Sequence, residues 1–170
     1  MLLAAPYSHA FIALGSNLEN PIHHILQAFD ELAKLPTSRL LEYSSLYRSA
    51  PVGRLDQPDF INAVALIETA LSPQALLNAL LAIEQQHGRI RESLNAPRTL
   101  DLDILMIDDL QCKENNLTLP HPRMHQRAFV LQPLMEISPN CHIPGQGTIA
   151  QSLAACSEQR LEQVKENDIK

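Results

Sequence analysis

With 170 residues, 45% of them hydrophobic, the chain has the composition of one ordinary globular domain, neither disordered nor fibrous. Its net charge of −6 argues against a general nucleic-acid binder. No stretch approaches the roughly 18 apolar residues a membrane span needs, and the apolar start at 1–6 is too short for a secretory signal.

Residues 9–14 form a short apolar run ending at Gly15-Ser16-Asn17, which reads as a strand followed by a turn. Asn20 before Pro21 marks a helix start, with Asn20 as cap. Ile22, Ile25, Leu26, Phe29, Leu32 and Ala33 then recur at helical spacing until Pro36. On that helix His23 and His24 are expected to face solvent. Residues 39–48 read as one strand, and 49–58 as a loop punctuated by Pro51, Gly53 and Pro58. From 60 to 70 comes a strand apolar on both parities at Ala63 to Ile67, as a central strand would be. Ser72-Pro73 opens a second helix with Leu76, Leu80 and Ile83 inward, closed by Gly88.

A polar loop (89–99) leads into Asp101-Leu102-Asp103-Ile104-Leu105. There Leu100, Leu102 and Ile104 share one strand parity, and Asp101, Asp103, Leu105 and Ile107 share the other. Short helices are expected at 124–136 and 148–157, and the charged end, 157–170, as a surface helix or a frayed tail. The order β-α-β-β-α-β over 9–108 predicts an α+β, ferredoxin-like sandwich: one antiparallel sheet with two helices packed on it. A single domain over 1–170 is expected, with a core at 9–136 and a short helical C-terminal extension at 137–170. Cys112, Cys141 and Cys156 are odd in number and lack CxxC spacing, which reads as free thiols in a reducing, cytoplasmic compartment.

Two carboxylates side by side on one strand face are unfavourable unless a cation sits between them. The alternative is a half-exposed strand with a solvated face. The return to apolar residues at Leu105, and the arginines around the pair (Arg89, Arg91, Arg98, Arg123, Arg127), favour a divalent metal with a polyphosphate. Arg98 is either a phosphate ligand or a surface arginine, and the same choice stands for Arg89 and Arg91. His121 and His125 are four apart, but Pro122 breaks the helix between them and no third ligand is near, so phosphate contact fits better than zinc. Phe60 and Asn62 share a strand face, offering a stacking surface and an amide to a planar heterocycle. The competing role for Phe60 is in the core. Glu84 is either a helix-surface carboxylate or an acceptor near a nucleotide. Gly15-Ser16-Asn17 matches neither a Rossmann nor a P-loop pattern, and no nucleophile triad is visible.

Five ordered blocks carry a resemblance: Ala13-Leu14-Gly15-Ser16-Asn17, Ser45-Leu46-Tyr47-Arg48-Ser49-Ala50-Pro51, Gln57-Pro58-Asp59-Phe60-Ile61-Asn62, Pro97 to Leu105, and Leu119 to Phe129. Over residues 10–133 the chain resembles the 6-hydroxymethyl-7,8-dihydropterin pyrophosphokinase family of folate biosynthesis. The resemblance implies pyrophosphate transfer from ATP to the pterin hydroxymethyl group, releasing AMP. It further implies that Asp101 and Asp103 hold two Mg2+ ions, and that Arg98, His121 and Arg127 contact the phosphates with Arg91 closing in. Glu84 would lie near the nucleotide. Phe60 and Phe129 would sandwich the pterin while Asn62 and backbone around Ser49, Ala50 and Val52 read its edge. The implied partners are small molecules, ATP and the pterin, with no nucleic acid or membrane; a monomer is expected. Loops 49–59 and 89–99 would be lids. One departure stands out: where the family carries a basic residue and a tryptophan before the Pro-Arg pair, this chain has Leu94-Asn95-Ala96 and no tryptophan anywhere. Two other readings stay open from the residues themselves: a ferredoxin-like ligand-binding module without chemistry, and another Mg-dependent phosphotransferase on the same scaffold.

Overall fold

The computed structural model describes residues 6–90, 95–114 and 116–169. In chain order the elements are β1 (Ser8–Ser16), α1 (Pro21–Ala33), β2 (Ser38–Tyr43), β3 (Tyr47–Ser49), β4 (Phe60–Thr69), α2 (Pro73–Gln86) and β5 (Asp101–Ile107). There follow the hairpin β6 (Cys112–Glu114) and β7 (Leu117–Leu119), α3 (Ala128–Ile137), the small hairpin β8 (His142–Ile143) and β9 (Gly147–Thr148), α4 (Ile149–Ala154) and β10 (Leu161–Gln163).

The main sheet runs β10-β3-β4-β1-β5, with β2 also paired to β4, and every pairing is antiparallel. This is an α+β architecture. Both principal helices start as their sequences dictate, with proline in the first turn, where a missing N–H costs nothing. Ser72 caps α2 by accepting from Ala75 N–H. Asn20 behaves otherwise. It is left-handed (φ 67) and makes no side-chain cap, so its role before α1 is to turn the chain.

The two faces of the sheet carry two cores. Ile25, Ala28, Phe29 and Leu32 of α1 and Leu76, Leu80 and Ile83 of α2 pack on Ile12, Leu14, Ile61, Ala63, Leu102 and Ile104. On the opposite face α3 and α4 cover Val64, Leu105 and Met106 with Leu131, Leu134 and Ile149. They cover only part of that face. The rest, around Gly15, Asn62 and Asp101, is left open as a cleft.

Four further sequence expectations change. Strand parity along β5 breaks at a bulge: Ile12 pairs with Ile104 but Phe11 with Met106, so Leu105 is an extra residue. Leu105 and Met106 both join the α3 core, and Ile107 lies with the α1/α2 core rather than on the aspartate face. The expected strand at 39–48 is two strands. Between them the Ser44 hydroxyl takes the Val64 N–H that a continuous ladder would pair with a carbonyl. The tail is neither a surface helix nor frayed along its length. Leu161–Gln163 pairs with β3, whose edge would otherwise expose unpaired backbone groups, and Val164 is buried with its N–H on Leu46 O. Finally, His24 does not face solvent freely: its Nδ1 lies 2.7 Å from Nδ1 of His87 on the far end of α2.

Candidate active site

The floor of the cleft is set by register. Gly15 on the central strand β1 pairs with Asn62 on one side and Asp101 on the other, while Ala13 pairs with Asp103. Side chains at positions 13 and 15 are a methyl group and a hydrogen, so open space separates the amide from the carboxylates. Ser49 and Phe60 are paired one step further toward the strand ends. The cleft has a free space of about 730 Å³, counting the part open to solvent. It is lined by Ser49, Ala50, Val52, Phe60, Asn62, Asn95, Arg98, Asp101, Asp103, His121, Arg127 and Phe129, among others. Eleven residues singled out from the sequence thus meet in one cavity. Arg91, also singled out, lies outside the described residues, as does Leu94.

The two aspartates are compensated unequally. Arg89 Nη1 contacts Asp101 Oδ1 closely, and Arg98 Nη1 reaches Asp101 Oδ2 at 3.3 Å. Burial disfavours the Asp101 carboxylate, but these two guanidiniums outweigh it and hold its pKa below the ordinary range. Asp103 is pushed up to about 7 by burial and by the negative charges of Asp101 and Glu84, with Arg127 opposing. An all-oxygen carboxylate pair in which one member resists ionisation fits a hard divalent cation such as Mg2+, which would replace the shared proton. Among the described residues no cluster of three or more His, Cys, Asp and Glu side chains is placed to hold a metal, so a cation here would complete its shell with oxygens from a ligand or water.

The cations have fixed places. Arg98 sits over the Phe60 ring and Arg127 over the Phe129 ring, each with Cζ 5.5 Å from the centroid. His121 Nδ1 accepts the Arg123 N–H at 3.1 Å, so a neutral ring carries its proton on Nε2. Burial and the charge of Arg127 lower His121 to about 4, which keeps it neutral near pH 7. Asn62 is 4% exposed. Its Nδ2 donates to Ser49 Oγ (2.8 Å) and Tyr47 O (3.3 Å), which turns Oδ1 toward Gly15.

Glu84 and Arg89 lie beneath the cleft rather than in its lining. Glu84 is 3% exposed and its Oε2 accepts from Leu102 N–H (2.7 Å) and from Arg89 (3.0 Å). Glu84 is therefore neither the exposed helix carboxylate nor a lining group. It anchors the start of β5, at Leu102, and the arginine that grips Asp101. Sequence reasoning also missed Asn17, which is 2% exposed and ties both expected lids. Its Nδ2 donates to Gln57 Oε1 (2.8 Å) and Pro58 O (3.0 Å), and its Oδ1 accepts from Arg98 N–H (2.9 Å). Gln57 Nε2 in turn donates to Asn95 O at 2.9 Å, so the two loops are latched. The available signal was a polar pair, Ser16-Asn17, ending an apolar strand.

The sequence profile described as 7,8-dihydro-6-hydroxymethylpterin-pyrophosphokinase (HPPK) matches residues 11–139. A 2-amino-4-hydroxy-6-hydroxymethyldihydropteridine pyrophosphokinase of Pseudomonas aeruginosa is 44% identical over 154 residues, 91% of this chain and 95% of that protein. A protein of the same name from Haemophilus influenzae is 41% identical, over 89% of this chain and 95% of its own. Among solved structures, wild-type Plasmodium falciparum HPPK-DHPS with pteroate superposes with a TM-score of 0.72 at 14% identity. That alignment covers 91% of this chain and 43% of the Plasmodium chain, and at that identity the likeness is one of fold. This chain spans less than half the length of that solved protein. The match over most of the sequence and the full-length relatives agree: this chain belongs to the HPPK family.

Proposed function

We propose that this chain transfers the pyrophosphoryl group of ATP to the hydroxymethyl oxygen of 6-hydroxymethyl-7,8-dihydropterin, releasing AMP, as a step of folate biosynthesis. The observation that carries this reading is the meeting, in one cleft, of a carboxylate pair, phosphate-binding cations and two aromatic rings. The names borne by the full-length relatives support the same substrates.

In this reading Asp101 and Asp103 hold two Mg2+ ions, which would supply positive charge against the nucleotide phosphates. Arg98 and Arg127 leave their aromatic faces to contact phosphate oxygens, and His121 donates from Nε2. Arg91 is assigned to the phosphates as well. Phe60 and Phe129 take the two faces of the pterin once the guanidiniums have moved. Asn62 Oδ1 accepts from a ring N–H or amine, with backbone of Ser49, Ala50 and Val52 completing the edge. A second cleft, lined by Cys112, Lys113, Thr118, His121 and His125 among others, shares His121 with the first and offers the nucleoside end a place beside the β6–β7 hairpin. Glu84 acts on the nucleotide site through Arg89 and β5.

Catalysis then rests on alignment of the pterin oxygen with the β-phosphorus, and on fixed positive charge around it, rather than on a covalent intermediate. Asn17 and Gln57 draw the 49–59 and 89–99 loops together, which would keep water from the donor. We read the frame as a ferredoxin-like β-α-β-β-α-β sandwich, a reading supported by its strand order, in one domain with a C-terminal extension at 137–170. We also assign a cytoplasmic monomer. No helix among the described residues is long and apolar enough to cross a membrane.

The deciding experiment incubates the protein with ATP, Mg2+ and hydroxymethyl-dihydropterin and separates the products. AMP with the pterin diphosphate is expected. ADP alone, or no turnover, refutes the assignment.

A further inference from the structure

A chain of three titratable side chains joins α1 to the end of α2. Glu31 Oε1 lies 2.7 Å from His87 Nε2, and His87 Nδ1 lies 2.7 Å from His24 Nδ1. The His87 side chain is 2% exposed, and Glu31 Oε2 is buried without a hydrogen-bond partner. A carboxylate only accepts, so His87 carries a proton on Nε2. The bond between the two rings then has two workable forms. With both rings neutral, His24 Nδ1–H donates to His87 Nδ1. With one added proton, His87 donates to the lone pair of His24. A second added proton places two N–H groups against each other at that distance, and the bond becomes a repulsion.

The placement of this pair gives it leverage. His87 ends α2, Gly88 reverses the chain at φ 77, and Arg89 follows with its N–H on Glu84 O. Arg89 is the residue that grips Asp101 and Glu84. Arg89 thus lies two residues from His87, on the same helix end.

We propose that His24, His87 and Glu31 form an acid-sensitive clasp that positions Arg89, closed while the two imidazoles carry at most one added proton and released by the second. The proposal rests on the contact of Arg89 with Asp101 and not on the identity of the substrates. The groups facing His24 are Glu19 and His23 from α1 and its lead-in and His87 from α2, while Glu31 of α1 faces the other side of the His87 ring. Burial, His87 and His23 oppose a charge on His24, and Glu19 favours it, with a net lowering that places release on the acid side of neutrality.

The chain has no tryptophan, so Ile90→Trp, at a position 70% exposed and next to Arg89, gives a single fluorescent reporter. Its emission is followed from about pH 8 to about pH 4.5 in the full chain, alone and with His24→Asn or His24→Ala. Asparagine keeps an acceptor where Nδ1 stands but cannot take a charge. The clasp predicts a reversible emission change on the acid side of neutrality in Ile90→Trp with unchanged circular dichroism, and none in the His24→Asn version. The His24→Ala version should show the acid-type emission already at neutral pH. In chains without the reporter, kcat should drop about tenfold from pH 7 to pH 5, and less than about threefold in His24→Asn. An identical transition with asparagine, no transition in Ile90→Trp, or alanine matching the parent at neutral pH would each overturn the clasp.

Discussion

Replacing Asp103 by asparagine should stabilise the ligand-free protein while removing its activity. The Asp103 carboxyl has a pKa of about 7 in the folded chain against an ordinary 3.8, because burial and the adjacent Asp101 oppose its ionisation. Between those values the folded state holds a proton that the unfolded state has released. Stability from this group is therefore fully present below about pH 4 and is lost as pH rises through about 7. The full gap is worth about 4 kcal/mol. Water still reaches part of the side chain, so about half of that, about 2 kcal/mol, is the expected penalty above pH 8. Asparagine has the shape of the protonated acid and carries no such penalty. For a chain of this length the difference corresponds to a rise in Tm of about 4–8 °C. Thermal unfolding of both proteins without divalent cation should give matching Tm values below about pH 4 and a gap that opens from there to about pH 7 and holds to pH 8.5. Added Mg2+ with a non-hydrolysable ATP analogue should raise the wild-type Tm and close the gap, since the cation replaces the missing proton. A gap that does not vary with pH, or a variant less stable at pH 8.5, would refute the assignment of a strained carboxylate pair. Enzymes store instability of this kind where the ligand is to bind.

Three shorter predictions concern the cleft walls. Asn17→Ala leaves Arg98 N–H, Pro58 O and Gln57 without their shared partner, so stability should fall by about 2–3 kcal/mol and KM for both substrates should rise, as read by denaturant titration and steady-state kinetics. Gly53→Ala places a Cβ 2.5 Å from Asn95 Nδ2 at a backbone φ of 84, and should cost about 1 kcal/mol or more. Asn95→Gly in the same chain should recover part of that loss, and no recovery in a thermal-shift assay would show that the two loops do not meet as described. His121, lowered to about 4 by burial and Arg127, binds fewer protons folded than unfolded, so its contribution to stability should fall as pH drops from about 6.5 to 4 by up to about 3 kcal/mol, against the opposite trend from Asp103. His121→Gln should flatten that slope in acid unfolding curves, and an unchanged slope would refute it.

The parts of this fold that were legible in the sequence are those written in short-range periodicity. The apolar faces of α1 and α2, the doubly buried β4 and the projection of Asp101 and Asp103 from one face all follow from spacing alone. The bulge at Leu105 is not periodic information: whether one residue is squeezed out depends on how β1 presents Phe11 and Ile12. The tail strand is three residues long, too short for a pattern, and forms because β3 offers an open edge. The polar networks escaped for a different reason. Asn17 meets partners 40 and 81 positions away, and His24 meets His87 63 positions away, so each residue alone reads as an ordinary surface group. Glu84 and Arg89 are closer in sequence to Asp101, but the turn at Gly88 that brings Arg89 back onto Glu84 and Asp101 is a three-dimensional fact.

The same networks explain what the cleft is built to accept. Among the described residues, three carboxylates (Glu84, Asp101, Asp103) and three guanidiniums (Arg89, Arg98, Arg127) meet around the start of β5, and their formal charges cancel. They are not evenly mixed. Arg89 and Arg98 are spent on Asp101, which leaves Asp103 as the carboxylate that a cation would satisfy best. In a partly dry cleft an unbalanced charge is costly, and cost grows as water leaves. A free nucleotide would bring its negative charge against Asp103, and a metal ion alone would crowd the guanidiniums without supplying them phosphates. In the proposed reading a nucleotide already matched by its cations would do neither: the carboxylates would hold the metals, and Arg98 and Arg127 would leave the rings of Phe60 and Phe129 for the phosphates, freeing both rings for a planar, uncharged acceptor. On this reading charge balance would favour the metal–nucleotide unit entering first and preparing the aromatic surfaces for the second substrate, and pterin-analogue affinity that is unchanged by prior Mg2+ and ATP analogue would refute it.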